Sequence, residues 1–146
     1  MKGAFKQLRV SQLGRTLSAF ESARQEPRPQ RGWLRAIREA LGLTLESVGK
    51  KLGQSRRRIL EFEEAEAHDR ITLRSLRRVA AAMDCDLVYA IVPKSGTLVE
   101  LAERRARAEA SEDVRDVEHT MALENQAVGN VEELINKETN RRLKRQ

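Results

Sequence analysis

Leu34-Arg-Ala-Ile-Arg-Glu-Ala-Leu-Gly-Leu-Thr44-Leu-Glu-Ser-Val-Gly-Lys-Lys-Leu-Gly53-Gln-Ser55-Arg-Arg-Arg-Ile59 is the stretch from which the architecture of this chain can be read. Thr44 and Ser55 each stand where a hydroxyl can accept hydrogen bonds from the orphan amides of a first helical turn. Gly53, between them, permits the tight reversal that lays a second helix across a first. Val48, Leu52, Ile59 and Phe62 supply an apolar interior at helical spacing. Gly49 stands inside a helix at a cost of about 1 kcal/mol relative to alanine, which is tolerable where two helices must approach closely. The expectation is a helix-turn-helix over roughly Thr44 to Glu64.

The second helix of that pair opens Ser55-Arg56-Arg57-Arg58. When such a helix lies in the major groove of DNA, its N-terminal residues meet the base edges. An arginine there can grip guanine O6 and N7 with two parallel hydrogen bonds, or it can neutralise a phosphate. Arg56 and Arg57 are expected to include the base reader, with Gln54 able to reach a base or a phosphate and Ser55 and Arg58 beside them. Arg35, Arg38, Lys50 and Lys51 are assigned to backbone contact. The bland alternative is a small helical bundle with a solvated basic face.

Working outward, four short helices are expected from Trp33 to Met83: Trp33 to Leu41, Thr44 to Leu52, Ser55 to Glu64 and Thr72 to Met83. Upstream, Leu13, Leu17 and Phe20 share one helical face before Pro27 and Pro29 break the helix, so residues 1–30 read as an N-terminal arm. Downstream, Asp86-Leu-Val-Tyr-Ala-Ile-Val-Pro93 concentrates β-branched and aromatic residues and reads as one strand. A lone strand has two unpaired edges. Its partner is either its copy in a homodimer or a short stretch of the N-terminal arm. Residues 31–93 thus form the DNA-binding domain. Residues 94–146 form a helical extension, with helices over Leu98 to Val128 and Val131 to Leu143 divided at Gly129-Asn130.

Charge divides the 146-residue chain in the same way. Residues 1–30 carry +4 (six cations, two carboxylates) and residues 31–83 carry +5 (twelve and seven), whereas residues 84–110 carry −1 (four and five) and residues 111–146 carry −2 (six and eight). A basic N-terminal half suits a polyanion, and a mildly acidic C-terminal half suits contact with a protein. Cys85 is the only thiol, and His68 and His119 lie far apart, so neither a disulfide nor a metal site is expected and the compartment reads as a reducing cytoplasm. No apolar run is long enough for a membrane span, and none resembles a leader. No cofactor is expected, and with no Gly-rich phosphate loop and no paired catalytic groups the chain does not read as an enzyme.

The pattern L-x-x-I-R-x-x-x-G-L-T-x-x-x-V-x-x-x-L-G-x-S-x-x-x-I-x-x-x-E from Leu34 to Glu63 resembles the lambda-repressor-like helix-turn-helix family, also called the xenobiotic-response-element family. The likeness implies a mainly α fold, a lambda-repressor-like helix-turn-helix bundle, here with one short dimerising β-strand and C-terminal helices, that binds double-stranded operator DNA. The chain departs from the family pattern at Leu45, Gly49 and Gln54, where glutamine, alanine and valine are usual. The Leu45 departure removes one habitual phosphate contact.

In the acidic half, Val114, Val117, Met121 and Val128 recur at steps of three, four and seven, a stripe suited to a partner helix or groove. Glu124 falls on that stripe and is costly to bury unless a cation meets it. The string Thr120-Met-Ala-Leu-Glu124-Asn125 resembles the inhibitory motif of antitoxins that silence Fic-domain AMP-transferases: serine or threonine, three residues, glutamate, then glycine or asparagine. The likeness implies that Glu124 would pair with an arginine of the toxin and occupy the place of the ATP γ-phosphate. The whole arrangement is similar to the mobile mystery protein A family, most clearly in Gly32-Trp-Leu-Arg-Ala-Ile-Arg38, in Ile71-Thr-Leu-Arg-Ser-Leu-Arg-Arg78 and in residues 84–93. Within that likeness Trp33 reads as a core anchor. The function implied is an antitoxin and operator-binding autorepressor, with a Fic-domain toxin as partner. The alternative is a helix-turn-helix regulator of a mobile element whose C-terminal helices only pack or oligomerise.

Overall fold

Thr44, Ser55 and Thr72 each accept a hydrogen bond from a backbone amide three residues on: Ser47 N–H (3.0 Å), Arg58 N–H (3.1 Å) and Ser75 N–H (3.1 Å). Three helices begin at those caps. The computed structural model describes residues 2–123 and 130–145. Its helices are α1 (Lys2–Ser18), α2 (Trp33–Ala40), α3 (Leu45–Leu52), α4 (Arg56–Ala67), α5 (Leu73–Ala82), α6 (Leu98–Leu123) and α7 (Val131–Arg145), with a 3-10 turn at Ser22–Gln25. They belong to two compact units, one of residues 26–89 and one joining residues 2–25 to the described part of 90–145.

In the 26–89 unit each helix contributes residues to one core. Leu34, Val48, Ile59, Val79, Ala82 and Met83 are buried together, with Ile37, Leu43, Leu45, Leu52, Phe62, Ile71 and Leu76 packed around them. The spacings Leu45, Val48, Leu52 and Leu76, Val79, Met83 keep one stripe inward on α3 and on α5. Two carboxylates sit inside this unit and both are satisfied. Glu63 meets the guanidinium of Arg38 through two hydrogen bonds, one of them 3.1 Å long, and Arg38 also donates to the carbonyl of Leu43 at 3.1 Å. Glu66 accepts the backbone N–H groups of Trp33 and Leu34, both at 2.8 Å, and so closes the first turn of α2 from across the core.

These contacts correct two expectations. Arg38 keeps only 11 % of its side chain exposed against Glu63 at 3 %, so it holds the bundle together instead of reaching a phosphate. Trp33 is half exposed and does not anchor the core. Adjacent positions on a helix point about 100° apart. With the first turn of α2 fixed by Glu66, Leu34 takes the inward direction and leaves Trp33 outside.

The expected short dimerising β-strand over 86–93 is not present: no strand occurs among the described residues. The β-branched and aromatic composition of this run suits a pleated surface, but a ladder also needs a second strand, and composition does not supply one. The N-terminal arm does not serve, because residues 2–18 are helical. Val88, Tyr89 and Ile91 are accordingly exposed on a segment that is neither helix nor strand.

In the other unit, α6 and α7 pack on each other, with Ala106, Ala110 and Ile135 buried, and α1 packs on both. Arg142 bridges Glu109, Asp113 and Glu138, and Arg107 joins Glu132 and Asn136. On α6, Val117 is exposed and the hydroxyl of Thr120 donates to the Asp116 carbonyl of its own helix at 2.9 Å. The inhibitory-motif residues Glu124 and Asn125 lie outside the described residues.

Candidate nucleic-acid interface

The reversal between α3 and α4 is built from backbone. Gly53 adopts φ +63°, a left-handed conformation that glycine takes without steric cost, and ends α3. The N–H of Gln54 then returns to the carbonyl of Gly49 at 2.9 Å. A side chain at Gly49 would put its Cβ 2.5 Å from the Gln54 carbonyl oxygen, so the departure from the usual alanine has a local cause: here the turn lies directly on α3. Thr44 and Ser47 form a reciprocal capping box at the start of α3, with Thr44 N–H reaching the Ser47 hydroxyl at 3.1 Å.

This turn delivers Gln54, Ser55, Arg56, Arg57 and Arg58 together at the exposed N-terminal end of α4. The three arginines are not equivalent. Arg58 lies with its guanidinium 4.6 Å from the centroid of the Phe62 ring and donates to Glu61 at 2.9 Å, so it is held along the helix. Arg57 lies 3.3 Å from the same carboxylate, yet 88 % of its side chain remains exposed. The side chain of Arg56 forms no ion pair or hydrogen bond among the described residues. The hydrogen bond from Arg58, helped by the charges of Arg58 and Arg57, holds the Glu61 carboxyl below the usual carboxylate range against a smaller desolvation effect.

Of the other candidates, Lys50 is exposed and 3.9 Å from Glu46, and Lys51 is exposed and 3.7 Å from Asp84, both near the end of α3 that leads into the turn. Arg35 stands apart on α2, tied to Glu39 at 2.8 Å. Glu61 is the residue that the sequence reading passed over. Its spacing of four from Arg57 and three from Arg58 carries the signal, since those separations are neighbours on a helix surface.

The surface so assembled is a helix end whose cap is filled, whose guanidiniums face outward and whose backbone is braced by a tight turn. It can present hydrogen-bond donors to base edges and positive charge to phosphates. Among the described residues no helix is long and apolar enough to cross a membrane. Residues 34–89 match the family described as helix-turn-helix. Neither the curated proteins nor the solved structures contain a match to this chain.

Proposed function

With residues 34–89 forming a helix-turn-helix domain of the DNA-binding kind, we propose that the chain is a transcription regulator that reads operator DNA with the N-terminal end of α4. The observation that supports this most directly is that Arg56 and Arg57 project from a capped helix end without being consumed by the fold. Arg57→Ala should weaken binding to a duplex selected from a randomised pool by about 1–3 kcal/mol if Arg57 reads a base. Equal weakening on random duplex would reassign Arg57 to phosphate, and no effect on either would remove α4 from the interface.

The finer reading is that the regulator is the antitoxin of a Fic-type pair. It would act as a homodimer on its own operator and block AMP transfer by placing Glu124 in the toxin's active site, with Thr120 and Asn125 completing the motif. Its support is the likeness of Thr120 to Asn125 to the inhibitory motif, with Thr120 exposed near the end of α6. For the homodimer, the support is the exposure of Val88 and Tyr89, at 68 % and 60 %. Co-purification with a Fic-domain AMP-transferase, followed by AMP-transfer assays with Glu124 intact and with Glu124→Gly, tests the mechanism. Activity released by the substitution while the complex persists supports it. A complex indifferent to Glu124, or no complex, leaves a regulator whose C-terminal helices are structural.

A further inference from the structure

The arginines of α5 lie outside the interface described above, and their arrangement is unfavourable for the free protein. α5 reads Leu73-Arg-Ser-Leu-Arg-Arg-Val-Ala-Ala-Ala82 and contains no carboxylate. Arg74, Arg77 and Arg78 stand at i, i+3 and i+4, on one exposed face, and Arg70 is exposed just ahead of the Thr72 cap. Among the described residues the side chains of these four form no ion pair or hydrogen bond. Like charges at this spacing oppose helix formation, and Arg74 in the first turn meets the positive end of the helix dipole. The arginines cannot turn inward, because Leu76, Val79, Ala80 and Met83 fix the opposite face in the core. A helix shaped for stability alone would interleave carboxylates, as α4, α6 and α7 do.

We propose that α5 is a second phosphate-binding surface, a rail of unpaired guanidiniums that takes the sugar–phosphate backbone of the same duplex that α4 reads. The inference rests on the DNA-binding reading of α4 and extends it. α5 packs directly on both α3 and α4, within the one unit that carries the interface. From Arg74 to Arg78 the helix rises about 6 Å, which spans roughly two phosphates at about 3.4 Å of duplex axis per charge on a strand. The planar guanidinium fork matches phosphate geometry, and a polyanion removes the mutual repulsion that the free helix bears. With these guanidiniums on the sugar–phosphate backbone, the face adds attraction and fixes position without reading bases.

The test is the salt dependence of binding by the full chain to a random-sequence duplex of about 30 base pairs, since each phosphate contact adds about 0.9 to the slope of log affinity against log salt. The triple variant R74Q/R77Q/R78Q should lower that slope by about two to three and weaken binding to all sequences by one common factor. The triple variant R74K/R77K/R78K should restore most of the slope. An unchanged slope in a glutamine variant that melts like the wild type overturns the rail. Should the triple variant fail to fold, each single substitution is expected to lower the slope by about one. Wild-type protein that binds no duplex at all would sink the reading of α4 together with the rail. Binding that depends on Arg57 but is indifferent to α5 would sink the rail alone.

Discussion

Arginine is abundant in both units of the molecule and serves opposite ends in them. At the α6–α7 seam, Arg107, Arg141 and Arg142 are matched to Glu132, Glu138, Glu109 and Asp113, and the hydrogen bond from Arg141 leads in holding the Glu138 carboxyl below the usual carboxylate range. In the 26–89 unit Arg38 alone is spent on the core, while Arg56, Arg70, Arg74, Arg77 and Arg78 have no carboxylate partner among the described residues. Composition counts these side chains alike. Pairing separates them, because a matched surface pair contributes little and satisfies its own charge, whereas an unmatched row of cations repels itself until an anion arrives.

The largest effect that this contrast predicts lies at the buried pair. Arg38→Ala would leave the Glu63 carboxylate buried without its cation, and unfolding stability should fall by about 3 kcal/mol, the lower end for a broken buried pair because the guanidinium is not wholly enclosed. Arg142→Ala, at the exposed seam, should lower the urea midpoint by far less. Equal losses would dissolve the distinction between an arginine used for the core and one used for a surface network. The double variant that makes both Arg38 and Glu63 apolar should recover part of the loss, since no charge is then stranded.

Next in size is the backbone turn on which the interface depends. Gly49→Ala improves helix propensity by about 1 kcal/mol but drives a Cβ into the Gln54 carbonyl, at a strain cost of about 1–3 kcal/mol. The net effect should be destabilising by about 1 kcal/mol, with DNA binding weakened as the turn shifts. A variant more stable than the wild type would show that α3 and the turn are not in close contact.

Those two predictions fall on either side of what the sequence discloses. The helices from Trp33 to Met83 were legible because local chemistry marks them twice, once by periodic apolar residues and once by Thr44, Ser55, Gly53 and Thr72 at their ends. The outward arginines at the start of α4 followed from the same local logic. The Arg38–Glu63 pair was not legible, because its partners are 25 residues apart and only the packed bundle brings them together. Trp33 was misassigned for a related reason: a large apolar side chain suggests burial, but Glu66, 33 residues away, sets the rotation of the first turn of α2. The strand over 86–93 failed as an inference because β propensity describes a side chain's fit to a sheet, and a sheet requires a partner that the sequence does not name.

The smallest effect is the most discriminating, because it falls on a carboxylate placed among cations in each unit. Glu61 holds Arg57 and Arg58 much as Glu138 holds Arg141 and Arg142. If pairing in α4 were only structural, Glu61→Gln and Glu138→Gln would behave alike. If Arg57 and Arg58 face DNA, the two substitutions differ. Glu61→Gln removes a negative charge that DNA repels and frees two arginines for any phosphate within reach, so affinity for random duplex should rise severalfold and the ratio of operator to random binding should fall. Glu138→Gln should leave both quantities unchanged. Because the folded carboxyl of Glu61 is held below the ordinary range, its restraint on the arginines is present above the unfolded carboxylate range and is lost only as pH falls through the lowered folded value. The Glu61→Gln gain should therefore be full at neutral pH. Indifference of random-duplex affinity to Glu61 would mean that Arg57 and Arg58 do not approach phosphate, and the row of unpaired cations on α5 would then be left to supply the non-specific attraction by itself.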